Sequence, residues 1–411
     1  MPTTSRLLSR ATLKPLAVAA SLAAACMGAQ AQQQPWYVGA AQAFTHDSNV
    51  FRRPGAEQSD TISSTSLFGG LNLTPGRQRV YLNGRISDNR YSELKQLNNT
   101  SHSLTTGLEW QTIEHLSGSL RYNSRQALND YTVVGSPEVK NVEKAQAASA
   151  SVRWGVTSAL GIEGNVEKRK IDYSVSDERD TTQDVASLGV RWGGGGQLAL
   201  GVTARASKSE TPLYRPLLPE SIFGQVLLGP LEPDEGDRRD LDFTATWTPS
   251  GLSTISGRIS LTKDDHTAPS RSDFSGVTGA VTWDYQPTGK TKIRASLVRD
   301  TGNEASFLSL TQIGLSGLRT DNNRLNWVAL LGADWEATAK ILVNGTVRYI
   351  RGTLDTVTGT SFNSNTSRLD LGARYLATRT ITLGCNVAYE QGSSGSFRGN
   401  TAGCYGQIVI P

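Results

Sequence analysis

The chain has 411 residues, 41 of them Gly, with hydrophobic residues at 37%, charged residues at 19% and a formal net charge of +4. So little bulk hydrophobicity excludes a polytopic helical membrane protein, which needs repeated apolar runs of about 20 residues. A soluble α/β enzyme of this length would carry more aliphatic mass and several Met, whereas the only two here, Met1 and Met27, lie at the N-terminal end. A β-barrel, in which only alternate residues meet lipid, crosses a membrane while staying this polar.

Residues 1–31 have the form of a secretory signal. Arg6, Arg10 and Lys14 make a positive start, Leu16 to Gly28 is apolar, and Ala29-Gln30-Ala31 is an A-x-A cleavage site before Gln32. A lipoprotein signal ending at Cys26 is the rival, but Ala23-Ala24-Ala25 lacks the Leu usual before such a Cys. Cleavage removes three cations and no acid, taking the net charge from +4 to +1 and leaving no basis for nucleic-acid binding. Two cysteines remain, Cys385 and Cys404, in an oxidising compartment.

From there the chain repeats one phrase: an aromatic residue closes an alternating segment, a short turn follows, and another alternating segment begins. Period-two alternation predicts eighteen strands, near 36–46, 61–74, 78–92, 100–113, 116–130, 143–157, 160–175, 182–193, 197–210, 239–249, 252–265, 274–286, 290–303, 323–336, 339–352, 363–376, 380–391 and 401–411. Short turns such as Pro75-Gly76, Ser250-Gly251 and Pro287-Thr288-Gly289 alternate with longer loops. The expected fold is all-β, a transmembrane antiparallel up-and-down barrel of about 18 strands over residues 32–411, in the cell outer membrane.

Trp36, Trp110, Trp154, Trp192, Trp247, Trp283 and Trp335 all share parity with the apolar face and sit at the short-turn end, with Tyr375 as an eighth member. Such a ring of amphipathic aromatics is expected where lipid meets the periplasm. The opposite parity is predicted to line the lumen. It carries Arg79, Arg85, Arg121, Arg125, Arg153, Arg169, Arg191, Arg205, Arg258, Arg294, Arg348, Arg368 and Arg374. Glu109, Glu163, Glu167, Asp240, Asp242, Asp284, Asp334 and Asp370 share that face. The wall is either mildly positive and biased toward anionic solutes, or a set of cross-strand ion pairs that keeps the pore wet.

Two long loops, Thr211–Arg238 with its five prolines and Glu304–Asn322 with Phe307, Leu308 and Leu310, are expected to fold into the barrel mouth or to stand as outer loops. Cys385 and Cys404, on the apolar parity of the last two strands, flank a Ser/Gly-rich connection whose midpoint lets them face each other as a disulfide. No G-x-S-x-G elbow, H-E-x-x-H or P-loop is present, and the four His show no metal-ligand spacing, so neither enzyme, cofactor nor metal is expected. Asp47-Ser48-Asn49 and Asp264-Asp265 are groups of the kind that binds Ca²⁺ weakly, but are read as solvated loop residues.

Phe44-Thr45-His46-Asp47-Ser48-Asn49-Val50-Phe51-Arg52, with Ser59-Asp60-Thr61-Ile62-Ser63-Ser64-Thr65-Ser66-Leu67 and Gly76-Arg77-Gln78-Arg79, resembles a known family. It is the outer-membrane β-barrel family of bacterial exopolysaccharide biosynthesis operons, the beta-barrel porin 2 type that accompanies an exosortase. Asn99-Thr100-Ser101-His102-Ser103-Leu104 before Glu109-Trp110, and a Cys in the final strand, are similar too. The resemblance is most specific over Trp36–Trp110. It implies a conduit for extracellular polysaccharide that works with a periplasmic polysaccharide export protein and is inserted among outer-membrane lipid by the outer-membrane assembly machinery. The chain departs from ordinary outer-membrane barrels in ending Ile408-Val409-Ile410-Pro411 rather than in an aromatic residue. The residues alone leave two other readings open: a general diffusion porin or small-solute channel, and a closed structural or surface-interaction barrel.

Overall fold

The computed structural model describes residues 34–411 except 56, 114, 130, 132–137, 156–158, 194–195, 216, 223–224, 302–324, 356–360 and 394–396. The expected signal, 1–31, and the loop Glu304–Asn322 lie outside the described residues. The strands in chain order are β1 Trp36–Asp47, β2 Asp60–Leu73, β3 Arg79–Tyr91, β4 Asn99–Gln111, β5 Leu116–Leu128, β6 Val142–Trp154 and β7 Leu160–Tyr173. Next come β8 Thr181–Trp192, β9 Leu198–Tyr214, β10 Leu217–Ile222, β11 Gln225–Leu228, β12 Glu232–Ser250 and β13 Ser253–His266. The rest are β14 Phe274–Thr288, β15 Thr291–Thr301, β16 Leu325–Glu336, β17 Ile341–Asp355, β18 Ser361–Leu376, β19 Ile381–Gly392 and β20 Phe397–Ile410.

Each wall strand pairs antiparallel with the next, β9 pairs with β12, and β20 returns to β1 from Val38↔Ile410 to Asp47↔Thr401. The result is a closed 18-stranded sheet, with β10 and β11 paired only to each other. Closure leaves no sheet edge to be desolvated in lipid. On the outward parity, large apolar side chains remain exposed, among them Leu67, Leu188, Ile259 and Val387. Trp192 to Asp184 on β8, and Trp247 to Arg239 on β12, each span eight residues between aromatic and charge. At roughly 3.3 Å per residue and about 40° tilt that is some 20 Å of apolar height, near the ~25 Å of a barrel's lipid-facing band. The protein is an outer-membrane β-barrel of porin size.

One loop expectation is corrected. Much of Thr211–Arg238 continues the wall: β9 runs to Tyr214 and β12 starts at Glu232, paired from Glu232↔Tyr214 through a register shift before Asp234↔Thr211 and then evenly down to Trp247↔Leu198. Pro233, Asp234, Glu235, Asp237 and Arg238 look like loop because they rise above the apolar belt, where both faces of a strand meet water or polar groups and alternation vanishes.

The loop-side end of the barrel has its own small core. Val50, Phe51, Leu97 and Tyr131 are buried together, with Phe51 edge-on to Tyr131 at 4.9 Å. Asp47-Ser48-Asn49 is therefore not the solvated segment expected. Asn49 is fully buried, accepts the N–H of Arg53 (3.0 Å), and donates to the carbonyls of Arg53 (2.7 Å) and Arg398 (2.9 Å). Arg52 bridges Asp47 (2.8 Å) and Glu390 (3.2 Å), tying the end of β1 to β19. Asp264 is likewise buried, at the end of β13.

Cys385 and Cys404 are opposite each other in the β19–β20 register and are disulfide-bonded, on the outward face beside Phe44. In chain beginning at Gln32, thiol alkylation under denaturing non-reducing conditions is expected to add no mass, and two labels after reduction. Two labels before reduction would overturn this.

Candidate pore wall

The aromatic ring residues lie where their strands meet the short turns. Trp154 and Trp192 are the last residues of β6 and β8, Trp36 is the first of β1, and Trp110, Trp247, Trp283, Trp335 and Tyr375 lie one to five residues from their strand ends. Their cross-strand partners are mostly apolar: Leu71 opposite Trp36, Ile162 opposite Trp154, Leu200 opposite Trp192, and Ile255 between Trp247 and Trp283. Trp110 rests on Gly118, which has no side chain to hold it off.

Every charged residue expected in the lumen falls on the parity opposite these aromatics. There they separate into two arcs of different character. On β9 and β12–β15 the charges neutralise one another. Arg238 contacts Asp240 and Asp300 (both 2.8 Å), Arg205 contacts Asp240 and Asp242 (both 3.1 Å), and Arg258 contacts Asp300 (2.8 Å) and Asp242 (3.7 Å). Three guanidiniums meet three carboxylates, and Asp300 is fully buried. Burying any one of these alone would cost several kcal/mol, so the set is stable only as a complete network. Beside it Val298 and Val328 form a buried apolar patch on the inner wall.

Other predicted members pair more simply. Arg153 meets Glu163 (3.0 Å), Arg125 approaches Glu143 (4.0 Å), Arg294 meets Asp284 (2.6 Å), Arg169 meets Glu167 (2.9 Å), and Arg368 binds Asp370 (2.9 Å) and Glu390 (3.4 Å). Asp334 lies opposite Lys292, while Arg191 stands between Gly161 and Gly201, Arg348 opposite Leu330 and Arg368, and Arg374 between Leu342 and Gly384.

The second arc runs from β19 through the seam to β5. Four inward aromatic rings lie flat on facing glycines: Tyr405 on Gly384, Tyr37 on Gly70, Phe68 on Gly39 and Tyr81 on Gly107, where any Cβ would overlap the ring. Arginines then rest on the rings. Arg85 sits 4.6 Å over Phe68 and Arg79 5.0 Å over Tyr81, while Arg121 Nε donates to the Tyr81 hydroxyl at 3.0 Å. Tyr37 donates to Asn83 Oδ1 (3.0 Å), and Arg79 Nε to Asn72 Oδ1 (2.9 Å). Of these cations Arg79 reaches a carboxylate, Glu109 at 3.3 Å, and both side chains stay well exposed. Arg85 and Arg121 are exposed and form no salt bridge among the described residues. The Arg85 guanidinium, stacked on Phe68 alone, keeps its donors for a solute, Arg121 spends its Nε on Tyr81, and Arg79 is shared with Asn72 and Glu109, so the arc presents fixed cations and amide groups to the lumen.

The lumen parity read from the sequence includes the arginines of this arc and not Tyr37, Phe68 or Tyr405. The available signal was an aromatic residue on the polar parity; the glycine beneath each shows only once cross-strand register is known.

No family model and no curated protein matches the chain. Solved structures with a similar fold include the outer membrane protein opdK from Pseudomonas aeruginosa, at 11% identity over 92% of this chain and 100% of that one, TM-score 0.46. OccAB3 from Acinetobacter baumannii matches at 9% identity over 91% and 98%, TM-score 0.45. The siderophore receptor PiuA from Acinetobacter baumannii matches at 9% over 93% and 82%, TM-score 0.43. At these identities the likeness extends to neither substrate nor residue roles.

Among the described residues no three His, Cys, Asp or Glu side chains gather as a metal site. At the loop side, burial pushes the Asp180 carboxyl up to about 6, aided by Asp172 and Asp177, against the Tyr173 N–H that donates to it at 2.7 Å.

Two expectations follow. The atoms nearest an added Cβ at Gly384 are all ring atoms of Tyr405, so Gly384→Ala should lift that ring into the lumen and lower single-channel conductance. Stability should be little changed, since Ala in a strand is favoured over Gly by about 0.5–1 kcal/mol; unchanged conductance would refute the flat packing. A raised carboxyl pKa means the folded turn holds a proton that the unfolded chain has released between about pH 4 and 6, so stability falls as pH rises through that window. Amides 174–181, corrected for intrinsic exchange, should be less protected at pH 7 than at pH 5, and Asp180→Asn should remove the difference.

Proposed function

We propose that this barrel conducts an extracellular polysaccharide across the outer membrane, with a preference for chains bearing acidic sugars. The observation that carries the proposal is the arc of Arg79, Arg85, Arg121 and Asn83 held on the flat rings of Tyr37, Phe68 and Tyr81. A polymer needs many weak, similar contacts along one wall, not one deep pocket. Guanidinium edges take carboxylates bidentately, and amide and phenol groups take hydroxyls. The flat rings keep the arc low, leaving the lumen free for a chain to slide. The likeness of Phe44–Arg52 and its companion segments to barrels of exopolysaccharide operons supports the same substrate. It also names the partner, a periplasmic polysaccharide export protein that delivers the chain to the short-turn side.

Two measurements test this. In planar bilayers, acidic oligosaccharides are expected to block the current at lower concentration than neutral ones of the same length. Arg85→Ala with Arg121→Ala should weaken that block about tenfold or more, one lost charge-assisted contact being worth about 1.4 kcal/mol or more. In cells, deletion should leave polysaccharide in the periplasm. Normal surface polysaccharide in the deletion strain would sink the proposal, and equal block by neutral and acidic sugars would sink the acidic preference. A conducting barrel that no saccharide blocks would instead be a general diffusion channel.

A further inference from the structure

We propose that the outer wall also carries a binding groove for a phosphate-bearing lipid of the loop-side leaflet. A groove of about 1090 Å³ runs along the outward face of β8, β9 and β12–β16. Its floor is low because Ala245, Gly257 and Gly279 occupy it, and its rims carry Trp192, Phe243 and Trp327. A Cβ added at Gly257 would meet nothing nearer than 3.8 Å, so the floor is open rather than closely packed there.

The loop-side end of this groove is lined by Arg299, and Arg351 lies one strand beyond its Trp327 rim. Arg299, Trp327 and Arg351 stand in one cross-strand row on the lipid-facing parity. The Arg299 guanidinium lies 5.6 Å over the Trp327 ring and donates to the Val277 carbonyl. Among the described residues neither arginine forms a salt bridge, nor do the outward Lys208 and Arg239, whereas Lys168 pairs with Asp184 (3.0 Å), Lys263 with Asp265 (2.7 Å) and Arg90 with Asp88 (2.7 Å). Trp327 is also the one Trp at the end of its strand opposite the short turns, eight residues from Trp335. It places the membrane interface at this row, since indoles gather there. Arginine is tolerated on a barrel's lipid face near the interface and costly at the midplane.

An apolar groove that ends at the Arg299 guanidinium, with Arg351 across Trp327 from it at the interface, has the form of an acyl chain and a phosphate headgroup. Guanidinium pairs suit phosphate because they donate in a fork. A second copy of the barrel is a poorer occupant: in a two-fold contact the patch meets itself, which would set Arg299 and Arg351 against their own copies.

The test is native mass spectrometry of the detergent-solubilised barrel with lipid A, a diphosphorylated glycolipid, and the same lipid stripped of phosphate. Wild type should retain lipid A and release the stripped form. Arg299→Ala with Arg351→Ala should lower retention about tenfold or more. Gly257→Leu, which fills the floor and leaves both arginines, should also lose the lipid while keeping the compact unheated gel mobility of a folded barrel. Equal retention of stripped lipid, or undiminished retention by either variant, would overturn the proposal. So would a dimer that Gly257→Leu disperses.

Discussion

Everything in this molecule depends on the ladder between β20 and β1. A strand in lipid cannot leave N–H and C=O groups unpaired, because each costs several kcal/mol with no water to satisfy it. The register from Val38↔Ile410 to Asp47↔Thr401 removes the last open edge. Once the sheet closes, every strand residue is assigned to lipid or lumen by parity alone. The apolar belt, the aromatic strand ends and the charged interior are consequences of that one constraint. The disulfide between Cys385 and Cys404 and the Arg52 bridge from Asp47 to Glu390 both lie beside this seam. The disulfide ties the last two strands to each other and the Arg52 bridge ties the end of β1 to β19, so covalent and ionic ties flank the closing ladder.

Parity forces charge inward but does not say what the charge does there. The two arcs answer differently. Around Asp300, buried cations and anions are matched one to one, and such a network holds a wall in shape while offering little to a solute. Around Tyr81, the cations are matched instead by aromatic faces, an interaction worth about 0.5–1 kcal/mol when exposed. That is enough to orient a guanidinium, and on Arg85 it leaves the hydrogen-bond donors to a solute. A wall with the same arginine content can thus be inert on one side and receptive on the other.

All eighteen wall strands were legible in the sequence, because a half-lipid, half-lumen strand alternates cleanly and an aromatic phrase marks every short turn but that between β2 and β3. Legibility failed where the cause of alternation ended. Glu232 to Arg238 rises above the belt, so no apolar face betrays it as strand. Asn49 and Asp264 read as solvated because side-chain burial at a loop-side end comes from neighbouring loops. Tyr37, Phe68 and Tyr405 were hidden for another reason. An aromatic on the lumen parity is ambiguous until the residue opposite is known, and the opposing Gly70, Gly39 and Gly384 lie 33, 29 and 21 positions away in the chain.

The segment that first suggested a polysaccharide role, Phe44–Arg52, is itself structural. Ser48 exchanges hydrogen bonds with Asn400 (2.9 and 2.8 Å), Asn49 reaches the Arg398 carbonyl, and Arg52 reaches β19. These residues clasp the first and last strands at the loop side, and nothing in that chemistry concerns sugar. The aromatic–arginine arc runs from the seam strands to β5, on the inner face. The two observations are therefore physically separate: one is a motif of barrel closure, the other a surface able to hold an acidic chain. A barrel could keep the clasp and lose the arc without unfolding. The substrate reading accordingly stands or falls on the arginines and rings of the inner wall.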